Sequence, residues 1–181
     1  MLRIEVPLGP EEWDEQKQEF VLPKVQVLQL EHSLVSLSKW ESKWHKPFLT
    51  KDEKSFEETL DYIKFMTITQ NVKPEVYDHL TQSNIQEISD YINDPMTATT
   101  FGNDPNGKRS REIITNELIY YWMITLGIPS DYQKWHLNRL LTLIRVCNLK
   151  NAPTRKMSKN EIISRNAALN AARRKQLNSK G

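Results

Sequence analysis

Four histidines, one cysteine and a run of lysines and arginines near the C-terminus are the residues of this 181-residue chain from which chemistry could be built. Metal binding needs ligands that converge. His32, His45, His79 and His136 lie far apart in sequence, and no HExxH or CxxC-type spacing gathers them. Nucleophilic catalysis needs an activated hydroxyl or thiol. No GxSxG turn accompanies the serines, and Cys147 sits within an apolar helical stripe, where a thiolate is disfavoured. As the lone cysteine it cannot form an intramolecular disulfide, which suits a reducing compartment. The Gly/Pro-rich stretch from Pro95 to Gly107 lacks the glycine spacing of a phosphate cradle and reads as a surface turn. No catalytic, cofactor-binding or metal-ligating residue is assigned on these grounds, and the chain reads as a non-enzyme.

Charge is the stronger signal. Residues 150–181 hold nine Lys or Arg against one acid, Glu161, a net of +8, which leaves residues 1–149 with 16 basic and 22 acidic side chains, a net of −6. An acidic body carrying a basic arm points to binding rather than transformation. The arm has three readings: a solvated tail, a dock for an acidic helical protein or for the acidic body of a neighbouring copy, and a nucleic-acid contact. Phosphates attract such cations, but no aromatic side chain lies between Lys150 and Gly181 to stack on bases, so nucleic acid is the weakest of the three. The candidate partner-binding residues are Arg165, Arg173, Arg174 and Lys175 of the arm, together with Trp40 and Trp44 of the body. Both tryptophans lie on a helical stripe that reads either as core or as a partner groove.

The elements that would position these residues are mainly helical. Ile4 and Val6 alternate with charged neighbours, Trp13 and Phe20-Val21 flank a polar stretch as hairpin arms flank a loop, and after Pro23 Val25, Val27 and Gln29 fall on one side of the run with Gln26, Leu28 and Leu30 on the other. Residues 1–30 are therefore expected to form a small β-hairpin or sheet packed on the body. Leu34, Leu37, Trp40 and Trp44 then recur at helical spacing, in a helix that must stop before Pro47. Capping boxes at Thr50/Glu53, Ser83/Gln86, Ser130/Gln133 and Ser158/Glu161 predict four helix starts. The expected apolar stripes are Phe56-Leu60-Ile63, Val76-Tyr77-Leu80 after Pro74, and Ile85-Ile88-Ile92 before Asp94-Pro95. Ile113, Ile114, Leu118, Tyr121, Trp122 and Leu126 form another, ending at Gly127. With Leu137, Leu140, Leu141, Ile144 and Cys147 they predict a helical hairpin at the centre of the core. Residues 31–149 make the helical body. A linker at 151–155 leads into the basic arm, 150–181, whose alanine-rich helix is expected to give way to disorder from Gln176. No window approaches the roughly 18 apolar residues of a membrane span, and no signal-peptide h-region opens the chain.

Several stretches carry a likeness: 28–44 (LQLEHSLVSLSKWESKW), 96–99 (MTAT), 133–148 (QKWHLNRLLTLIRVCN) and 157–159 (MSK). Along nearly its whole length the chain resembles small proteins encoded in the tail-gene region of long-tailed bacteriophages that look like tail assembly chaperones. The resemblance implies a non-enzymatic protein of the infected host's cytoplasm, absent from the finished virion. It would coat the long helical tape-measure protein, or other tail proteins, during virion assembly, and would do so in many copies. Two alternatives accompany it: a structural head or tail component of the phage particle, and a small nucleic-acid-binding protein acting through the arm.

Overall fold

A computed structural model describes residues 1–9, 12–15, 18–21, 23–102, 112–152 and 158–178. The chain divides into two units, Met1–Asn148 and Leu149–Gly181. In the first, β1 (Leu2–Pro7) pairs antiparallel with β4 (Val25–Leu30), Leu2 opposite Leu30, while β2 (Glu12–Asp14) pairs with β3 (Glu19–Val21) as a separate hairpin. Successive side chains of a strand point to opposite faces. Ile4, Val6, Leu28 and Leu30 are thereby buried together, while Val25 stays half exposed. The far edge of β4 is also used, with Ile68 N donating to Gln29 O (2.8 Å) and Glu31 N donating to Met66 O (2.9 Å).

Among the described residues six α-helices follow: α1 (Leu34–Trp44), α2 (Phe56–Met66), α3 (Gln82–Asn93), α4 (Asn116–Thr125), α5 (Leu137–Asn151) and α6 (Lys159–Leu177). Short 3-10 turns at Pro74–His79 and Ser130–Lys134 link some of them. The protein is thus mainly helical, with a small N-terminal sheet and a C-terminal helix rich in basic residues. Among the described residues no helix is long and apolar enough to cross a membrane.

The hub is α1. It packs against α2, α4 and the Ser130–Lys134 turn, and the expected α4–α5 hairpin is not the centre of the core. Leu34, Leu37 and Trp40 are buried along its inner line, and the helix stops where His45 turns left-handed (φ 53°) two residues before Pro47. α5 adds Leu137, Leu140 and Ile144 to the same core, and Leu137 N donates to His32 O (2.7 Å). At the end of α4, Gly127 adopts φ 65°, and Ile128 N donates back to Met123 O (2.8 Å), so a residue without Cβ closes the helix.

Three expectations need correcting. The helix starts are capped elsewhere: Ser55 with Glu58 opens α2 and Thr81 with Asn84 opens α3, where Thr50/Glu53 and Ser83/Gln86 were expected. A third box, Ser33 with Ser36, opens α1. Thr50 instead donates to Pro47 O (3.0 Å) within the loop, and Ser130 begins only a 3-10 turn without a side-chain cap. Of the four expected starts, only Ser158 stands where it was placed, immediately before α6. The buried faces of α2 and α4 are rotated. α2 buries Tyr62, Ile63 and Met66 and leaves Phe56 77% exposed, while α4 buries Asn116, Ile119 and Met123 and leaves Tyr121 61% exposed. Finally, Gln176 and Leu177 are helical, so the arm's order runs past the expected limit. The turn at 103–107 and most of the 151–155 linker lie outside the described residues.

Removing a working cap costs about 1 kcal/mol. Ser55→Ala and Thr81→Ala should each lower unfolding free energy by that amount in urea titration. Ser83→Ala, at an exposed position inside α3, should stay within about 0.5 kcal/mol of the parent.

Candidate partner-binding site

Trp40 and Trp44 come together, but on different terms. Trp40 is 1% exposed, donates its indole N–H to Glu58 O (2.8 Å) and meets Phe48 edge-on at 5.0 Å. It is a core residue with no surface to offer, which corrects its placement among the contact residues. Trp44, one turn on, lies 6.4 Å from the Trp40 ring and is only partly buried. Its indole N–H is enclosed without an acceptor.

Beside the tryptophans lie two buried carboxylates that sequence reasoning missed. Glu41 accepts from Phe48 N (2.7 Å) on one oxygen and from Asn116 N (2.7 Å) and Nδ2 (2.6 Å) on the other. Glu58 accepts from Lys46 Nζ (2.6 Å) and from Ser55 N (2.7 Å). The Lys46 hydrogen bond first, and then the Ser55 backbone N–H, hold the Glu58 carboxyl below its ordinary range. An open cleft of about 500 Å³ runs between the end of α1 and the start of α4, with Glu41, Lys46 and Asn116 on its walls. Every carboxylate oxygen of Glu41 and Glu58 is committed to holding a loop or a helix start, so the pair acts as a brace. The Ser55-x-x-Glu58 spacing was the signal that could have revealed one of them. Nothing in the local sequence marks Glu41, whose donors arrive from residues 7 and 75 positions away.

A second polar cluster is wholly internal. His32 is 2% exposed, its Nδ1 lies 2.5 Å from the Tyr62 hydroxyl, and its ring meets that of His136 at 5.0 Å. His136 Nε2 is 2.9 Å from Tyr91 O, and its Nδ1 is buried with no partner. Burial, and next the proximity of His136, push the His32 imidazole down to about 3. The two histidines come from the start of α1 and the start of α5, and their ring contact fastens those elements together. Among the described residues no group of three or more His, Cys, Asp or Glu side chains could hold a metal ion.

The arm residues occupy a different unit. Arg165, Arg173, Arg174 and Lys175 all lie on α6, and the described side chains of 162–177 are exposed throughout. Lys159, Arg173, Arg174 and Lys175 form no ion pair among the described residues. The structure therefore separates the candidate set into a core tryptophan, a half-covered tryptophan and an exposed basic helix. It also adds apolar side chains that sequence periodicity had assigned to the core, with Phe56, Ile113 and Tyr121 each more than 60% exposed. Comparison with family models, with curated proteins and with solved structures gave no match.

Two outcomes follow. Trp40→Ala should cost about 3–5 kcal/mol, whereas Trp44→Phe, which deletes an indole N–H that has no acceptor, should cost less than about 1 kcal/mol in the same denaturation assay. For His32 the sign is fixed by its lowered value. Above pH 6.5 it is neutral in both folded and unfolded chains; below that the unfolded chain takes up the proton first, so stability falls with pH down to about 3. Between pH 6.5 and 5 its share of the loss is about 2 kcal/mol, read as the difference between the parent and His32→Gln in urea midpoints at the two pH values.

Proposed function

We propose that this protein is a non-enzymatic assembly chaperone of a long-tailed bacteriophage, binding the helical tape-measure protein in the host cytoplasm while the tail is built. The observation that carries the reading is α6, a 19-residue helix whose described side chains from 162 to 177 are all exposed. An isolated helix of about this length gains little from its own hydrogen bonds in water, and helices in proteins are stabilised mostly by packing. Such a helix, joined to an acidic body and bearing Arg173, Arg174 and Lys175, which form no ion pair among the described residues, is suited to docking along another helix with an acidic face. The resemblance of the 28–44 and 133–148 stretches supplies the biological setting. The exposed Phe56, Ile113 and Tyr121 supply apolar contact area on the body.

Co-expression provides the test. The full chain should keep its cognate tape-measure protein in the soluble fraction, and a chain ending at 149 should lose most of that effect while retaining the helical circular dichroism expected of the body. Insoluble tape-measure protein in both cases would remove the proposal. DNA binding that vanishes with the arm and weakens steeply with salt would replace it with the nucleic-acid alternative. Detection of the protein in purified virions would replace it with the structural alternative.

A further inference from the structure

One aromatic corner of the body already holds a cation. The Trp40 and Phe48 rings stand at 82° with their centroids 5.0 Å apart, and the Lys54 ammonium lies over both, 4.5 Å from the Phe48 centroid and 5.9 Å from that of Trp40. Tyr62 stacks on Phe48 at 4.0 Å and backs the corner. A cation within about 6 Å of a ring face is attracted by the ring's quadrupole, more strongly where water is excluded. Lys54 forms no ion pair among the described residues, so it is the rings that hold its charge.

The corner opens onto a pocket of about 380 Å³ whose walls include Trp40, Lys54, Glu58, Asp52 and Glu53. Glu58 is spent on Lys46 and on the Ser55 N–H. Asp52 and Glu53 are exposed and form no ion pair among the described residues. Their carboxylates make the mouth of the pocket unfavourable for an anion and favourable for a cation. Among the described residues no group of three or more His, Cys, Asp or Glu side chains gathers to hold a metal ion, so the cation that fits is an organic one. The angle between the rings narrows the choice further. A planar guanidinium lies flat on one ring at a time, whereas a compact ammonium faces two perpendicular rings at once.

With Lys54 in place Trp40 has no free face. Lys54 itself is only half-buried, lies outside any helix or strand, and immediately precedes the Ser55 cap of α2. Rotation about its side-chain torsions carries the ammonium into water while the backbone stays where it is, and the corner is left open to a ligand of the same charge. We infer that the Trp40–Phe48 corner is a binding site for an alkylammonium ion, a partner protein's lysine side chain or a free amine, and that Lys54 is the built-in occupant such a ligand displaces. The affinity a ligand experiences is then the corner's own affinity reduced by the fraction of time Lys54 leaves it vacant. The site is independent of the tape-measure reading, which rests on α6.

Nuclear magnetic resonance on the full-length chain tests it, with the Trp40 indole N–H, which donates to Glu58 O, as the reporter. The probes are n-butylammonium for a free amine, Nα-acetyl-lysine N-methylamide for the lysine of a polypeptide, and neutral n-butanol for the alkyl chain alone. Lys54→Ala opens the corner, and Lys54→Ser is the second route to the same opening should the alanine variant lose the parent's circular dichroism. In the opened chain butylammonium should shift the reporter saturably, at concentrations at least about tenfold below those the parent requires, because the parent's own ammonium must leave first. Butanol should leave the reporter unmoved. A shift by butylammonium alone assigns the corner to free amines, and a shift by the capped lysine as well assigns it to a partner's lysine. No saturable shift in the opened chain overturns the inference. So does a shift that butanol reproduces, or one reached at the same concentration in the parent, since Lys54 would then not be the occupant.

Discussion

Glu41 brings a carboxylate into the interior, and the packing of the body depends on the donors that carboxylate requires. A buried charge left without partners costs several kcal/mol, so at 7% exposure its oxygens must be met by hydrogen bonds. They are met by the backbone of Phe48 and by both the backbone and side chain of Asn116. The first fixes the loop that follows the left-handed stop of α1. The second fixes the first turn of α4, where a helix already favours negative charge. One residue earlier, Trp40 ties α1 to the carbonyl of Glu58, whose own side chain holds the start of α2. Two adjacent residues of α1 thus determine where two other helices begin, and α1 is the hub for that reason.

The His32–His136 contact likewise joins α1 to α5 through buried polar side chains. Glu41 is held by donors, whereas His32 sits where a proton would find little water and a second imidazole nearby. The interior of the body therefore joins its helices through buried polar groups that meet one another. Its exterior differs. Among the described residues, Glu87 and Asp90 of α3 and Arg173, Arg174 and Lys175 of α6 are exposed and form no ion pair.

Much of the fold was legible because local rules operate on neighbours. Alternation picked out Ile4 and Val6 in β1 and sorted β4 into two sides, of which pairing with β1 buried the one with Leu28 and Leu30, and the spacing of Leu34, Leu37 and Trp40 placed them on one line of α1. Gly127 and Pro47 marked helix ends through backbone geometry that side chains further away do not alter. Periodicity failed where the pattern was saturated. Seven of the ten residues of α4 are apolar, so every face looked eligible, and the true one was settled by Asn116 meeting Glu41. The caps of α2 and α3 were misplaced for a related reason. Ser or Thr followed by Glu or Gln is common in polar loops, and only the chain's path decides which pair reaches the free N–H groups.

The separation of charge, the want of a motif that gathers catalytic or metal-binding groups, the helix-rich character and the punctuation by Gly and Pro were determined by the sequence alone, since each is a property of composition or of residues within one helical turn. The burial of Trp40, the exposure of Phe56 and Tyr121, the donors around Glu41 and the meeting of His32 with His136 were decided only by the tertiary structure. Each depends on residues beyond one helical turn of one another sharing one low-dielectric volume, and whether they do so is set by competition among all the packing arrangements open to the chain.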